Sequence, residues 1–134
     1  MQETPLLVKT SNNWVQAVLG NFDSFLLDHA AAEKKASGKA ISMLSHYPDR
    51  TRLVTKMTDL AIEELTHYRE VLRWIHSRGL VTVADTKDQY VILLRQAIRK
   101  ETDAYFLDRL LIASVIDARG AERFALIADA LQML

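Results

Sequence analysis

The sequence predicts an all-α protein that folds as an up-and-down helical bundle. Its 134 residues include only two Pro and four Gly, and no stretch alternates between apolar and polar residues over the length of a strand. Hydrophobic residues make up 49% of the chain, which is enough to bury one core. We therefore expect a single helical domain over residues 1–134.

Residues that favour turns mark the ends of the first helices. A short helix is predicted at residues 14–19, followed by a break at the Gly-Asn pair 20–21 and by helix A from residue 22 to about 45. Pro48 disfavours helix in the residue before it, and Asp49 can cap the helix that follows. Helices A and B are therefore joined by a short turn.

The second half of the chain is predicted to contain three further helical segments. Helix B runs from about residue 50 to 77 and ends at Gly79, in the manner of a glycine C-cap. A connection at residues 80–86, with an extended stretch, precedes a helix at about 87–99. Helix C begins near Asp103 and continues to the last residue, so neighbouring helices are close enough in sequence to pack antiparallel.

Apolar residues recur at three- and four-residue steps along helices A, B and C, which defines the inward face of each helix. The inward positions predicted on helix A are Phe22, Phe25, Leu26, His29, Ala30, Glu33, Ala36, Ser37, Ala40, Ile41 and Leu44. Those predicted on helix B are Leu53, Met57, Leu60, Glu64, His67, Val71 and Trp74. Those predicted on helix C are Leu107, Leu111, Ser114, Val115, Ala118, Glu122 and Ala125. Each stripe therefore contains a carboxylate.

A buried carboxylate needs a partner, because an unpaired one costs several kcal/mol or stays protonated. A pair of divalent metal ions would supply that partner. Glu64 and His67 have the Glu-x-x-His spacing that places both side chains on one helical face, and Glu33 and Glu122 would add carboxylates from the flanking helices. Di-iron carboxylate bundles use this ligand type, and four of their six protein ligands occur here.

Other interpretations of these residues remain open. Glu-x-x-His is common by chance in charged helices, and the three core glutamates could instead pair with Arg or Lys in a metal-free helical fragment or assembly module. His29, one turn before Glu33, is a core residue or a second-shell partner of the metal. Asp117 could hydrogen-bond a metal-bound His or an Arg, and structural pairing is the favoured role.

Composition limits the classes of partner. The 17 basic and 17 acidic side chains cancel, which predicts no broad attraction to nucleic acid or anionic membrane. The absence of Cys removes disulfides, thiolate catalysis and iron–sulfur clusters. The start of the chain does not resemble a signal peptide, and no apolar run of about 18 residues predicts a membrane span. We expect a cytoplasmic protein without a membrane partner.

Three segments resemble a known family. They are residues 27–36 (LDHAAAEKKA), residues 63–68 (EELTHY), and the span from residue 107 (LDRLL) to residue 124 (DARGAERF). Together they are similar to the MiaE-type tRNA hydroxylases, and the resemblance covers nearly the whole chain. The Asp-His-Ala before Glu33 and the Ala-Arg before Glu122 are not required by a generic di-iron bundle. The combination is therefore fairly specific.

The resemblance implies a ferritin-like fold and an O2-dependent, non-haem di-iron monooxygenase. The implied reaction hydroxylates the isopentenyl group of 2-methylthio-isopentenyladenosine in tRNA, with two iron ions as cofactor and O2 as co-substrate. Glu33, Glu64, His67 and Glu122 match the family's ligand positions, whereas Asp117 stands where a Glu is more usual. Because the chain has no flavin or nicotinamide fingerprint, an external electron donor or reductase is implied. Phosphate contacts would come from a local basic rim with these candidates: Lys34, Lys35, Arg50, Arg52, Arg95, Arg99, Lys100 and Arg123.

The same ligand set suits other di-iron proteins, such as an aldehyde oxygenase or an iron-storage protein, so the substrate stays open from the residues alone. The last apolar helical pattern reaches residue 134 without a stop signal, and only 12 residues follow Glu122. The second Glu-x-x-His motif of di-iron carboxylate bundles therefore has no counterpart in this sequence. We expect a bundle truncated before its last ligand-bearing helix, whose uncovered face could self-associate.

Overall fold

The computed structural model describes residues 6–134, in which the regular secondary structure is α-helical and no strand occurs. The helices are α1 (Asn12–Gly20), α2 (Phe22–His46), α3 (Thr51–Ser77), α4 (Gln89–Gln96) and α5 (Thr102–Gln132). The predicted all-α class is confirmed. Residues 1–5 lie outside the described residues. The prediction that the start of the chain is not a signal peptide rests partly on them.

Contacts between residues divide the chain into two compact units. One unit consists of residues 21–85 and contains α2 and α3; the other contains α1, α4 and α5 and consists of the residues on either side. The prediction of a single domain over residues 1–134 stays a prediction. Within residues 6–134, none of the helices combines the length and the apolarity that crossing a bilayer requires.

The unit of residues 21–85 is a hairpin of two long antiparallel helices. Ile75 on α3 is fully buried and packs with Leu26 and Ala30 of α2, the innermost cluster of this unit. At the open end of the hairpin, Arg78 Nε donates to Asp23 Oδ1 over 2.6 Å. The start of α2 is thereby joined to the end of α3.

The end of α3 is a Schellman motif, as the predicted glycine cap requires. Gly79 has φ +74°, a left-handed conformation that side-chain-bearing residues rarely adopt. The Gly79 amide donates to His76 O over 3.0 Å, and the Leu80 amide donates to Ile75 O over 3.1 Å. Leu80 also packs on the Ile75 cluster, the apolar contact that accompanies this motif. The chain therefore leaves α3 in a fixed direction.

The other unit is held by contacts of α5 with α1 and with α4. Val15 and Val18 of α1 and Ile127 of α5 are buried. The Arg119 guanidinium of α5 lies 3.9 Å from the centre of the Tyr90 ring on α4, a cation–π contact. The two helices thus meet through an aromatic and a charged side chain as well as through apolar residues.

A bidentate ion pair fixes the turn between α4 and α5. The Arg99 side chain donates to both oxygens of Asp108, over 3.0 Å from Nε and 2.9 Å from Nη2, and the Arg99 backbone amide donates to Oδ2 over 2.9 Å. Hydrogen bonds from the Arg99 side chain, followed by that from its amide, lower the pKa of Asp108 to about 2. Arg99 is consequently engaged within the protein.

Most predicted helix bounds are confirmed within one or two residues, and two differences stand out. The predicted helix at 87–99 is shorter, because α4 comprises only Gln89–Gln96. The connection predicted to be partly extended has no regular structure at residues 80–88, and Val81 and Val83 are exposed. Lys34 of α2 binds Asp85 in this connection over 2.8 Å.

Several predicted inward positions are wrong. Trp74 is 66% exposed, whereas its neighbour Ile75 has no exposed surface. Ile41 is 51% exposed, and Met43 is buried instead. On α5 the apolar stripe is mostly exposed, and these members are exposed: Leu107, Leu111, Ser114, Val115 and Ala125. The helical period was recognised correctly on each helix. The phase on α3 was wrong at Trp74, whereas the phase on α5 was off by about one residue.

We expect Ile75→Ala to lower the free energy of unfolding by about 2–5 kcal/mol, because it removes buried methyl groups and leaves a cavity between α2 and α3. Chemical denaturation followed by circular dichroism measures the change. Ile62→Ala is the matched control, since Ile62 lies on the same helix and is 62% exposed. Its expected change is within about 0.5 kcal/mol. Equal losses for the two variants would contradict the assigned core.

We expect Asp108→Asn to lower the melting temperature near neutral pH, and the difference from wild type to disappear in acid. Because the folded pKa of Asp108 is depressed to about 2, its stabilising contribution is full above the unfolded pKa of about 3.9 and is lost as the pH falls towards 2. Melting curves at several pH values measure this. Asp129→Asn, on the exposed side of α5, is the control and should show no such convergence.

Candidate metal centre

Small residues let α2 and α3 approach closely beside the predicted ligands. Ser37 of α2 is buried, and its hydroxyl donates to the Ala61 carbonyl of α3 over 2.9 Å. Glu33 lies one turn before Ser37, and Glu64 lies nearly one turn after Ala61. Because the helices are antiparallel, these steps lead to the same level of the hairpin. Glu33 and Glu64 are therefore brought face to face.

His67 completes a cluster with these two glutamates. One possible ligand atom from each of Glu33, Glu64 and His67 lies within 4.8 Å of the others. The distance from His67 Nδ1 to Glu33 Oε2 is 3.8 Å, which is too long for a hydrogen bond. Ligand atoms on one ion lie at most about 4.4 Å apart when each is about 2.2 Å from it, so small side-chain rotations would suffice. Two carboxylates and an imidazole form a donor set that suits iron, manganese or zinc.

The cluster is less buried than predicted. Glu33 has 13% of its side chain exposed, but His67 has 44% exposed, and Glu64 is half-buried. The expectation of buried ligands is wrong for His67, because within its unit α3 is covered by a single neighbouring helix. An open side leaves room for further ligands, water or substrate beside His67.

His29 lies next to the cluster, one turn before Glu33 on α2. Its Nε2 is 3.4 Å from Glu33 Oε1, and its ring is stacked on Phe25 with centroids 6.1 Å apart. Burial, followed by the charge of His67, lowers the pKa of His29, while Glu64 opposes this shift. A neutral imidazole that can hydrogen-bond Glu33 matches the second-shell position expected for His29. Its role stays a prediction.

Glu122 belongs to α5 and thus to the other unit. Its Oε1 accepts a hydrogen bond of 2.6 Å from the Thr10 backbone amide, and this bond is the main reason that the pKa of Glu122 is lowered. Its Oε2 is buried and has no hydrogen-bond partner among residues 6–134. Its membership of one metal centre with Glu33, Glu64 and His67 stays a prediction. The same holds for the second-shell role of Asp117, which is exposed on α5.

Sequence analysis missed two features of these surroundings. Ala61 was not among the predicted inward residues, although its small side chain permits the contact with Ser37. Thr10 gave no signal, because a backbone donor does not depend on the identity of the side chain, and its partner Glu122 is 112 residues away. Only the small-residue contact could have been found, from the run of Ala and Ser that faces α3.

Comparison with known proteins identifies the family of this chain. The family model for tRNA-(MS[2]IO[6]A)-hydroxylase (MiaE) matches residues 2–133. The chain belongs to this family. Two similar MiaE-family relatives are each named tRNA 2-(methylsulfanyl)-N(6)-isopentenyladenosine(37) hydroxylase. The protein from Pseudomonas putida is 34% identical over 116 residues, and that from Salmonella typhimurium is 30% identical over 101 residues.

A solved structure supports the fold of this MiaE-family chain. It is described as protein 43 with aldehyde deformylating oxygenase activity, from Synechococcus, and it superposes with a TM-score of 0.89 at 36% identity over 92% of the chain. The predicted ferritin-like fold and the predicted family are confirmed.

The matches cover most of this chain but only part of each relative. They span 87% and 75% of the chain, against 57% of the Pseudomonas protein and 37% of the Salmonella protein. The superposed structure is covered over 61% of its length. The activity, substrate and partners of the whole relatives therefore reach this chain only as proposals.

We expect the chain to bind Co(II), used as a spectroscopic probe, and Glu64→Gln and His67→Ala to weaken this binding at least tenfold by removing first-shell donors. Visible absorption titrations measure the affinity. Glu63→Gln and His76→Ala are matched controls, because both residues are exposed on the same helix. Unchanged binding in Glu64→Gln, or equal losses in the controls, would show that the cluster is not a metal site.

Proposed function

We propose that this chain provides the metal-binding part of an O2-dependent, non-haem di-iron monooxygenase that hydroxylates the isopentenyl group of 2-methylthio-isopentenyladenosine in tRNA. The observation that carries the proposal is the cluster of Glu33, Glu64 and His67 in a chain of the MiaE family. Glu33, Glu64 and His67 would hold iron, and Glu122 would add a fourth ligand. The names of the two relatives support tRNA as the substrate.

When bound, iron would supply the reaction with O2 that no amino-acid side chain can perform. The two carboxylates of Glu33 and Glu64 offset the charge of a divalent ion, and His67 contributes a neutral nitrogen donor. His29 holds Glu33 from the side away from His67, since the two imidazoles lie near different oxygens of that carboxylate. The rotation of Glu33 is thereby restricted before any ion binds.

Hydroxylation places one oxygen atom of O2 in a C–H bond and reduces the other to water, so electrons and protons must enter from a donor. No flavin or nicotinamide fingerprint occurs in the sequence. An external reductase is therefore part of the proposal. The self-association expected from the sequence stays a prediction, and the exposed apolar stripe of α5 is the surface that would be concerned.

The structure narrows the candidates for a basic rim that contacts tRNA. Lys34 and Arg99 are engaged with Asp85 and Asp108, which makes them poor phosphate ligands. Arg50 and Arg52 are exposed at the start of α3. A shallow depression of about 410 Å³ begins there, lined by Thr51, Arg52, Thr55, Lys56 and Asp59. Phosphate contacts at this end of the hairpin are consistent with recognition of a tRNA backbone.

A second candidate function follows from the Synechococcus protein, whose described activity is aldehyde deformylation. The same carboxylate and imidazole ligands serve both reactions, so the metal cluster does not separate them. An aldehyde substrate would need an apolar channel, whereas a flipped-out adenosine would need a basic rim beside its pocket. The names of the two relatives favour the tRNA substrate.

We expect about two Fe(II) ions per chain after anaerobic loading, and conversion of prenylated tRNA to a product with one more oxygen atom once O2 and a reductant are added. Iron assay and mass spectrometry of the digested tRNA measure the two results. Glu64→Gln should abolish the product, whereas Glu63→Gln, its exposed neighbour, should keep it. Iron binding with conversion of a fatty aldehyde and not of tRNA would favour the second function, and the absence of specific iron would refute both.

A further inference from the structure

The two carboxylate oxygens of Glu122 have different surroundings. Oε1 accepts a short hydrogen bond of 2.6 Å from the Thr10 amide. Oε2 is buried, and no donor within residues 6–134 reaches it. A buried charged oxygen without a partner is costly, so native proteins rarely leave one unless another group, such as a cation, binds there. Of the two carboxylate oxygens of Glu122, Oε1 therefore has a hydrogen-bond donor and Oε2 has none within residues 6–134.

The segment that carries the Thr10 amide is itself held in place. Arg123, the neighbour of Glu122 on α5, donates from Nε to the Thr10 hydroxyl over 3.3 Å. The Arg123 guanidinium also lies 4.6 Å from the centre of the Trp14 ring in α1. Val15 and Val18 of α1 are buried, so the helix that follows Thr10 is itself packed against its unit. A fixed amide can hold a carboxylate in one orientation.

We propose that the Thr10 backbone amide positions Glu122 for metal binding, by occupying Oε1 and leaving Oε2 as the atom that binds the ion. This inference rests on the proposed function, in which Glu122 is a ligand. A hydrogen bond to a charged acceptor is about twice as strong as one between neutral groups, and partners of this kind orient metal ligands. Arg123 supports the arrangement by holding Thr10, and neither residue touches the metal.

The opposite effect of the same contact is also testable. If the segment around Thr10 instead competed with the metal for Glu122, removing the hydrogen bond would strengthen metal binding. The structure favours positioning, because one oxygen remains without a donor while the other is fully engaged. A blocking segment would be expected to satisfy the buried Oε2 atom as well.

The test measures Fe(II) affinity by competition with a chromophoric chelator, with circular dichroism as a check on folding. Thr10→Pro removes the amide hydrogen, and Lys9→Pro places the same ring one residue earlier, at an exposed position. Thr10→Ala keeps the amide and removes only the hydroxyl. We expect Thr10→Pro to weaken the binding of one ion about 10- to 100-fold and Lys9→Pro to stay within about threefold of wild type. Thr10→Ala also loses the contact with Arg123, so it should show a smaller loss than Thr10→Pro.

Arg123→Lys is the second variant and decides the question if Thr10→Pro does not fold. It keeps the charge but removes the Nε donor and the planar group over Trp14, so we expect a smaller loss of affinity in the same site. Wild-type or tighter binding in the folded Thr10→Pro and in Arg123→Lys would overturn the inference. Glu122→Ala separates the two proposals: if it binds iron as wild type does, Glu122 is not a ligand and the ligand assignment of the proposed function fails instead.

Discussion

The close approach of α2 and α3 is the constraint on which the candidate metal centre depends. A metal site needs its donors within a few ångströms of one point, and donors on two helices meet this condition only if the backbones are near each other and in the right register. The Ser37 hydroxyl bound to the Ala61 carbonyl satisfies both conditions at once. A larger residue at Ser37 would separate the helices, and a shift of register would move Glu33 away from Glu64. Small residues therefore act as ligand-positioning residues without touching a ligand.

Sequence reasoning succeeded where the position of a side chain follows from the regular spacing of residues along its own helix. Glu33 is at a core-facing position of α2, and the Glu64–His67 step of three residues lies on one face of α3. The short turn between these helices leaves antiparallel packing as the simple solution, so spacing alone predicts that the three side chains meet. The Schellman end of α3 was predictable for a similar reason, because Gly79 serves a local backbone need.

The same reasoning failed where the phase of a helix is set by partners that the sequence does not reveal. A helix rotates by 100° per residue, so Trp74 and its neighbour Ile75 are almost equally good core candidates. The structure buries Ile75 because the α2 face opposite it offers the small Ala30, into which a branched aliphatic residue packs. The stripe of α5 contains several apolar residues, yet apolarity alone does not identify which neighbour, if any, covers them.

Glu122 shows how the position of a carboxylate on a helix can be predicted while its environment cannot. The position of Glu122 follows from the periodicity of α5. Its hydrogen-bond donor, Thr10, lies in an irregular segment at the other end of the sequence, and the donor atom is the backbone nitrogen. Glu33 and Glu122 are therefore restrained by different means: an imidazole on the same helix in one case and a distant amide in the other. A glutamate whose rotation is already restricted loses less side-chain entropy when it binds an ion, so contacts of this kind favour ligand positioning.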